Sequence, residues 1–366
     1  MKIKTFAILL ITFCILLAVV LLTTRQKKTA EHQTDMGAKL FASLAAGDIA
    51  AITITSPEAT AKLKQTPNGW VVENRFNYPA DFSKVAELVQ KLSDAKIGRM
   101  FQASPEIQAR QSLYPPEQPE LTPDQKGTRI VLADKDAKTL ADLIIGKQRE
   151  EGAGAGSGTY YVLRQSESRV YLIDQNFRFL EKKPAGWLNN KPIDLNPKNI
   201  EKIVCLDLKK NTIIYTLKRP AKDTDPVLVG LPAGKMIAIS KVDQLFEALT
   251  SFSVEDVADP AAISEATHFP QAARFEYHLF DGTIYHIYPG AALKDGSDNH
   301  YFRISVSYRQ PPGKVDPAQQ ETQTKLAEEA EKLNRNISPW TYVIFKWVYD
   351  SFFTDPKNLI EKADKK

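Results

Sequence analysis

The chain has 366 residues, 43% of them hydrophobic and 25% charged, which are the proportions of a folded globular protein and exclude an intrinsically disordered one. This length allows about two domains of ordinary size. The formal net charge of +4 is spread over 48 basic and 44 acidic residues with no concentrated basic stripe, so we expect no nucleic-acid partner.

The N-terminus carries an uncharged apolar stretch from Thr5 to Thr24, preceded by Lys2 and Lys4. As a helix it would span about 30 Å, the thickness of a bilayer core. It lacks the shorter apolar region and the small-residue cleavage site of a secretory signal peptide. The pattern predicts an uncleaved transmembrane anchor with basic flanks over residues 1–28. The residues assigned to the membrane anchor are Phe6, Leu10, Phe13, Leu16, Val20 and Leu22.

Basic residues flank this stretch on both sides, so the charge rule alone does not fix its orientation. The short basic N-terminus is typical of a bacterial signal anchor. We therefore predict a single-pass protein of the bacterial inner membrane, with most of the chain outside the cytoplasm. Cys205 is the one cysteine beyond the apolar stretch, so no disulfide can form within the folded part, and its strand-like context predicts a buried apolar residue.

A juxtamembrane segment, residues 29–47, leads into the first predicted unit, residues 48–196. Strands are predicted at IAAITITS, TAKLKQT and WVVEN, the last two joined by a turn at Asn68-Gly69. A helix is predicted over Ser83–Ile97, capped by Asp81 or Ser83. Strands TRIVLAD, TLADLIIG, TYYVLR and RVYLID follow, with a short helix around Gln175–Leu180. The helix face predicted to be buried is Val85, Leu88, Val89 and Leu92.

A second unit, residues 197–356, repeats this order. The helix over Ser240–Val254, with Ser240 as its cap, presents Val242, Leu245, Phe246 and Leu249 at the same spacing. Strands ARFEYHLF, TIYHIYPG, HYFRISVS and TYVIFK and the helix WVYDSFF match their counterparts. A charged helical insertion, residues 316–337, interrupts the copy, and a charged tail covers residues 357–366. The repetition predicts two tandem related α+β units, each an antiparallel sheet with a packed helix.

Short motifs in a fixed order resemble a known family. They are an Ile-x-x-Ile strand, the NGW hairpin, a helix after YPAD, then LIIGK, TYYVL, VYLID and WLNNKPIDL before the next Ile-x-x-Ile. This order is similar to that of the domain of unknown function 4340 family. The resemblance implies an anchored, exported protein that is often encoded beside an ABC transporter and its gliding-type auxiliary membrane protein. Because the family has no established activity, it assigns no functional residue.

The histidines do not predict a metal site. A two-residue turn at Asp281-Gly282 would pair His278 with Tyr285 and His286 with Tyr277. His278 and His286 would then point to opposite faces of the sheet. In that register they cannot share a metal ion.

Other residue patterns that suggest catalysis have simpler explanations. The glycine-rich stretch Gly152–Gly158 precedes a strand rather than a helix N-terminus, which argues against a phosphate-binding loop. Asp134 and Asp136 lie in a predicted turn. The acidic residues of the inserted helix, Glu328, Glu329 and Glu331, are typical of a solvated face. We therefore expect no enzymatic activity and no cofactor.

The aromatic C-terminal stretch PWTYVIFKWVYDSFF suggests an interaction surface. Its aromatic residues either close the core of the second unit or remain partly exposed, and exposed aromatic residues are enriched where proteins bind one another. The candidate partner surface consists of Trp340, Tyr342, Trp347, Tyr349 and Phe352.

The sequence thus predicts a non-enzymatic, membrane-anchored extracytoplasmic protein. Its expected role is that of an accessory or scaffold component of an ABC-transporter-type envelope complex, with protein partners. One alternative is a module that binds a glycan, peptide or lipid in a groove between the two units. A further alternative, an envelope hydrolase, requires a convergent acid, base or metal group, such as His286 beside Asp or Glu in a pocket. The oligomeric state stays open.

Overall fold

The computed structural model describes residues 36–149, 158–165, 167, 169–264, 269, 273–310 and 317–362. The chain divides into two compact units. The first, unit 1, ends at Trp187, and the second, unit 2, begins at Leu188.

Unit 1 is built on one antiparallel sheet of nine described strands, in the order β4-β3-β2-β1-β6-β7-β8-β9-β5. Core-facing residues alternate with more exposed ones, as in β1, where Ile52 and Ile54 are buried. The strands are β1 Ala51–Thr55, β2 Thr60–Thr66, β3 Gly69–Val72, β4 Tyr78–Pro79, β5 Ile97–Gln102, β6 Thr128–Ala133, β7 Thr139–Gln148, β8 Thr159–Arg164 and β9 Arg169–Asp174.

Two α-helices belong to unit 1, α1 over Phe82–Asp94 and α2 over Pro105–Arg110. The side chain of Asp81 caps α1 by accepting hydrogen bonds from two backbone N–H groups. The predicted buried face of α1 is confirmed at all four positions. Four short 3-10 helices complete the unit, Ala46–Asp48, Glu73–Arg75, Pro123–Gln125 and Pro184–Trp187.

Unit 2 contains an eight-stranded antiparallel sheet in the order β12-β11-β10-β15-β16-β17-β18-β14, and a small sheet of β13 and β19. The strands are β10 Ile200–Asp207, β11 Thr212–Lys218, β12 Val227–Leu228, β13 Lys235–Ile237, β14 Asp256–Val257, β15 Ala273–Leu279, β16 Thr283–Ala292, β17 His300–Tyr308, β18 Tyr342–Ile344 and β19 Ile360–Lys362. The helices are α3 Ile239–Ala248, α4 Pro317–Ile337 and α5 Lys346–Ser351, with 3-10 helices Pro197–Asn199 and Pro356–Leu359.

The large sheets share one strand order. Strands β2-β1-β6-β7-β8-β9-β5 of unit 1 correspond in sequence order and pairing to β11-β10-β15-β16-β17-β18-β14 of unit 2. The register is equivalent as well, because the buried pair Ile52 and Leu132 in β1 and β6 corresponds to the buried pair Ile203 and Tyr277 in β10 and β15. The hydroxyl of Tyr277 donates to the carbonyl of Leu245 at 3.0 Å, which ties the unit 2 sheet to α3.

The predicted fold class is wrong. The protein is mostly β, with two large antiparallel sheets and few helices, so the units are not of the α+β class. The predicted membrane-anchored architecture is corrected too. Within the described residues no helix is long and apolar enough to cross a membrane. The stretch Thr5–Thr24, on which the anchor prediction rested, lies outside the described residues.

Three local predictions also fail. Ser240 does not cap α3, which begins at Ile239 after Ala238 without a side-chain cap. No helix forms around Gln175–Leu180. In the β2–β3 hairpin Thr66 pairs with Gly69, so the two-residue turn is Pro67-Asn68 rather than Asn68-Gly69. Gly69 follows the turn with a φ of +113°, a conformation that glycine adopts without steric cost.

Candidate functional site

The structure separates the five residues of the candidate partner surface. Tyr342 and Phe352 are buried, and Trp347 is 62% exposed. Trp340 and Tyr349 are half-buried. Tyr342 and Phe352 are therefore core residues, and we remove them from the surface predicted from the sequence.

Buried aromatic rings form the core of unit 2 at this end of the sheet. The ring of Phe352 lies 5.0 Å from that of Phe302 and 6.1 Å from that of Tyr277. The ring of Tyr342 lies 5.6 Å from that of Phe252, and its hydroxyl donates to the carbonyl of Ile337 at 3.1 Å. The aromatic C-terminal stretch thus closes the second core with part of its side chains.

Two aromatic side chains beside this core face solvent. Phe345 precedes α5 and is 36% exposed, and Trp347 lies in the first turn of α5. Their rings are nearly parallel, with centroids 6.4 Å apart and an interplanar angle of 16°. We call this pair the aromatic step. Lys346 and Asp350, one turn apart on the same helix, form an ion pair of 2.6 Å.

Half-buried rings join α5 to the sheet, since Tyr349 lies in α5 and His300 in β17. The ring of Tyr349 stacks on the imidazole of His300, with centroids 3.7 Å apart, and lies 4.7 Å from the ring of Phe353. The indole nitrogen of Trp340 donates to the carbonyl of Asn336 at 3.0 Å. These contacts fix the positions of Tyr349 and Trp340.

The predicted charged helix in the insertion is confirmed as α4. It packs against β17, where the side-chain oxygen of Asn334 accepts a hydrogen bond from the backbone N–H of Val306 at 2.8 Å. Ala330 and Ile337 are buried. The acidic residues Glu328, Glu329 and Glu331 are exposed, as predicted. The helix therefore has one packed side and one solvated side.

The β15–β16 hairpin differs from the sequence prediction by one residue of register. His278 pairs with Ile284, and His286 pairs with Glu276. The connection is a three-residue turn, Phe280-Asp281-Gly282, in which Gly282 has a φ of +97° and donates its N–H to the carbonyl of Leu279. A one-residue change in register moves a side chain to the other face. His278 and His286 therefore share a face, contrary to the prediction.

A charged cluster lies on this face, which we call the outer face because the alternate residues Phe275 and Tyr277 point into the core. The carboxylate of Glu276 accepts from Arg274 at 2.7 Å and contacts His278 Nε2 at 3.1 Å. His286 Nδ1 lies 3.5 Å from the same carboxylate. We call Arg274, Glu276, His278 and His286 the Glu276 cluster.

Burial and charge set the protonation of this cluster. Burial alone would raise the pKa of Glu276, but the hydrogen bond from His278 and the charge of Arg274 hold it below its ordinary value. Burial lowers the pKa of His278, and nearby Lys202 lowers it further. Burial also lowers the pKa of His286 against the attraction of Glu276. At neutral pH the cluster therefore combines an ionised Glu276 with neutral imidazoles.

Ser307 lies beside the cluster. Its hydroxyl is 2.8 Å from His286 Nε2, so Ser307, His286 and Glu276 follow one another in the order of a nucleophile, a base and an orienting carboxylate. His286 Nδ1 lies 3.5 Å from Glu276, which is longer than an ordinary hydrogen bond, and it forms no well-aligned hydrogen bond there. The contact between Glu276 and His286 is therefore looser than the one that orients the histidine of a catalytic triad.

The comparison with protein families identifies this chain's relatives. Residues 70–270 match the family described as Domain of unknown function (DUF4340). The chain belongs to this family. The resemblance predicted from the sequence is thus confirmed. No curated protein and no solved structure matches the chain.

The DUF4340 match covers most of unit 1 but ends before the features described above. Residue 270 precedes β15. The Glu276 cluster, α4 and the aromatic step therefore lie beyond the matched part. Membership of the DUF4340 family assigns them no role.

The structure describes some of the other residues that the sequence analysis considered for catalysis or metal binding. Asp134 and Asp136 lie in a turn, where the Asp134 carboxylate accepts two backbone hydrogen bonds. Cys205 is buried, as predicted, and burial raises the pKa of its thiol to about 11, which leaves it unreactive. Gly152–Ser157, His32 and His268 lie outside the described residues. In the part of the chain that the structure describes, no three metal-ligating side chains converge.

Proposed function

We propose that this DUF4340 protein is a non-enzymatic accessory subunit of an ABC-transporter-type complex of the bacterial envelope, acting outside the cytoplasm. The observation that carries the proposal is the aromatic step. A tryptophan with 62% of its surface exposed beside a stacked phenylalanine is costly to leave in water, and Trp is the residue most enriched at interface hot spots. The transporter assignment is drawn from the family resemblance.

The aromatic step lies on a packed helix, and this favours the interpretation that it binds a partner protein over the interpretation that it is exposed without a role. Val348, in the same helix, is buried, and the stacked pair Tyr349 and His300 lies behind it. A side chain held by a packed helix loses little conformational freedom when a partner covers it. The exposed ion pair of Lys346 and Asp350 gives the step a polar rim.

A second exposed apolar stretch marks the edge of the unit 2 sheet. Edge strands can pair with a strand of a partner, and β12 is one edge of this sheet. The exposed apolar side chains at this edge come from β11, from β12 and from residues beside these strands; they are Leu208, Ile213, Ile214, Val227 and Val229. The experiment on the proposed function must therefore discriminate between this edge and the aromatic step.

The test is affinity purification of the tagged full-length chain after cross-linking in cells, compared among three proteins. These are the wild type, Trp347→Ala, and Ile213→Ala as the matched control with the same exposed fraction of 62%.

We expect transporter subunits with the wild type and with Ile213→Ala, and a loss of at least about tenfold in recovery with Trp347→Ala, as for a hot-spot residue. Loss with Ile213→Ala alone would move the contact to the sheet edge. Recovery of the protein alone, in all three cases, would overturn the accessory role.

A further inference from the structure

A cavity of about 460 Å³ opens beside the β15–β16 turn of unit 2. This volume lies within the range of sites for small organic ligands. Its walls come from β10, from both strands of the hairpin and from the residues after β17. They include Glu201, Lys202, His278, Ile284, Arg309 and Gln310.

Two cations of this wall, Lys202 and Arg309, have no anionic partner among the described residues. Among the described residues, neither the ammonium of Lys202 nor the guanidinium of Arg309 forms an ion pair. The carboxylate of Glu201, also in the wall, lies 3.7 Å from Lys218 instead. The backbone N–H of Arg309 donates to the carbonyl of Gly282 at 2.9 Å, which holds Arg309 beside the turn. The cavity therefore carries two positive charges that form no ion pair within the described part of the chain.

The positive charge of the cavity also affects the pKa of His278, which lies in the same wall. Burial, then Lys202, lowers the pKa of His278, and Arg309 acts in the same direction. Only Glu276 opposes them, and its carboxylate is already occupied by Arg274 and His278. An anion in the cavity would relieve the repulsion among these groups.

The other part of the wall is apolar. Ile284 is almost completely buried, and Leu279 and Phe280 lie on the same side of the turn. A site with an apolar wall and a small number of cationic groups fits an organic anion better than a hydrated inorganic ion.

The larger cavity of unit 1 has fewer unpaired cations. Its volume is about 640 Å³. Lys39 pairs with Asp94 at 3.7 Å and Arg164 pairs with Glu167 at 3.0 Å, and of the three cations in its wall Arg169 alone forms no ion pair with a described residue. Two unpaired cations, against one, therefore distinguish the unit 2 cavity by its charge and not by its size.

We propose that the unit 2 cavity binds the phosphate or carboxylate group of a small organic anion, through Lys202 and Arg309, with its apolar part against Ile284. Arg309 offers two parallel N–H donors to such a group, and Lys202 contributes a point charge. This site is independent of the aromatic step and of the accessory role.

The test is isothermal titration calorimetry of the full chain with phenyl phosphate, benzoate, and inorganic phosphate as the probe without an apolar part. We expect saturable binding of phenyl phosphate or benzoate that is stronger than that of inorganic phosphate. Lys202→Ala and Arg309→Ala should each weaken it about tenfold, the usual loss for one charge-assisted hydrogen bond. Lys209→Ala, which removes an exposed lysine of the same unit, should leave it unchanged.

Thermal unfolding of each variant checks that it folds, and Lys202→Arg and Arg309→Lys should restore part of the affinity. Absence of saturable binding by the wild type up to about 10 mM, an affinity too weak to matter, would overturn the proposal. Equal weakening by Lys209→Ala would overturn it as well, because it would show only a general charge effect.

Discussion

The outer faces of two equivalent hairpins carry different chemistry on the same backbone. In unit 1, β6–β7 presents an arginine and a carboxylate, Arg129 and Asp142, joined by two hydrogen bonds of 3.0 and 2.7 Å. In unit 2, β15–β16 presents the Glu276 cluster, where one carboxylate serves an arginine and two histidines.

The strands beside these hairpins, β1 in unit 1 and β10 in unit 2, also differ in the residues that they present. Ala51 pairs with Ala133 in unit 1, and Lys202 pairs with His278 at the equivalent place in unit 2. The buried pairs beside them are apolar or aromatic in both units. The two copies therefore share the buried residues that form the core and differ on the outer face of the sheet.

The largest expected effect tests the shared part of the comparison. Leu88→Ala in α1 and Leu245→Ala in α3 each remove an almost completely buried side chain at equivalent positions. Each should lower the free energy of unfolding of its unit by about 2–5 kcal/mol, through lost burial and a cavity. Denaturant unfolding monitored by hydrogen exchange of each unit measures both.

Matched controls for these core variants lie in the same helices. Phe82 and Ile239 are the first residues of α1 and α3, and they are 66% and 61% exposed. Phe82→Ala and Ile239→Ala should change the free energy of unfolding by less than about 0.5 kcal/mol. A large effect of Leu88→Ala with none of Leu245→Ala would show that the two helices do not play equivalent roles.

The next effect separates the outer faces. Glu276→Gln leaves Arg274 and both imidazoles facing an uncharged amide, and it should lower the free energy of unfolding by about 1–3 kcal/mol. Asp142→Asn removes the carboxylate partner of a single side chain, Arg129, and Glu117 still contacts Arg129 at 3.3 Å. Asp142→Asn should therefore lower the free energy of unfolding by less than Glu276→Gln does. Chemical denaturation of both variants, beside exposed Glu328→Gln, gives the comparison. A greater cost for Asp142→Asn would contradict the central place of Glu276.

A smaller effect appears on acidification. Folding lowers the pKa of His278, which faces Glu276, Lys202 and Arg309, and of His286, which faces Glu276, Arg274 and Arg309. Between the ordinary histidine pKa of 6.5 and the lowered pKa of the folded state, the unfolded chain binds more protons than the folded chain. The stability that the neutral histidines contribute is therefore present above about pH 6.5 and is lost as the pH falls toward the lowered pKa.

Unit 1 should not follow this pH dependence, because its described part contains no histidine. Hydrogen exchange of β15–β16 and β6–β7, compared between about pH 7.5 and pH 5.5, covers the window in which histidine titrates. The double variant His278→Asn, His286→Asn should abolish the difference. Parallel loss of protection in both hairpins would rule out the cluster as its origin.

The buried positions of each unit could largely be predicted from the spacing of apolar residues in the sequence, but the arrangement of side chains on the outer face could not. The 3.6-residue spacing of Val85, Leu88, Val89 and Leu92 identifies a buried helix face. The Asp281-Gly282 pair fits two-residue and three-residue turns alike, and both need a positive φ at Gly282. The two-residue type I′ turn also needs a positive φ at Asp281, which Asp281 does not have. The longer turn that forms instead brings His278 and His286 together at Glu276.

The fold class and the aromatic surface required three-dimensional information for different reasons. Each helix gives a strong periodic signal, but the nine-stranded and eight-stranded sheets outweigh the few helices. In the aromatic stretch, Val348 of α5 and Phe352, the residue directly after the helix, lie four residues apart and are both buried. Trp347 is exposed instead, a distinction that composition does not contain.

The smallest effect concerns Ser307. Ser307→Ala should change the free energy of unfolding by less than about 0.5 kcal/mol, because the residue is exposed. Its hydroxyl should not react with a fluorophosphonate probe, since the 3.5 Å contact between His286 and Glu276 is longer than the hydrogen bond that orients a triad histidine. Mass spectrometry of the treated protein measures this, with Ser305→Ala on the same strand as the control. Labelling that Ser307→Ala alone abolishes would contradict the non-enzymatic role and make the outer face of unit 2 a reactive site.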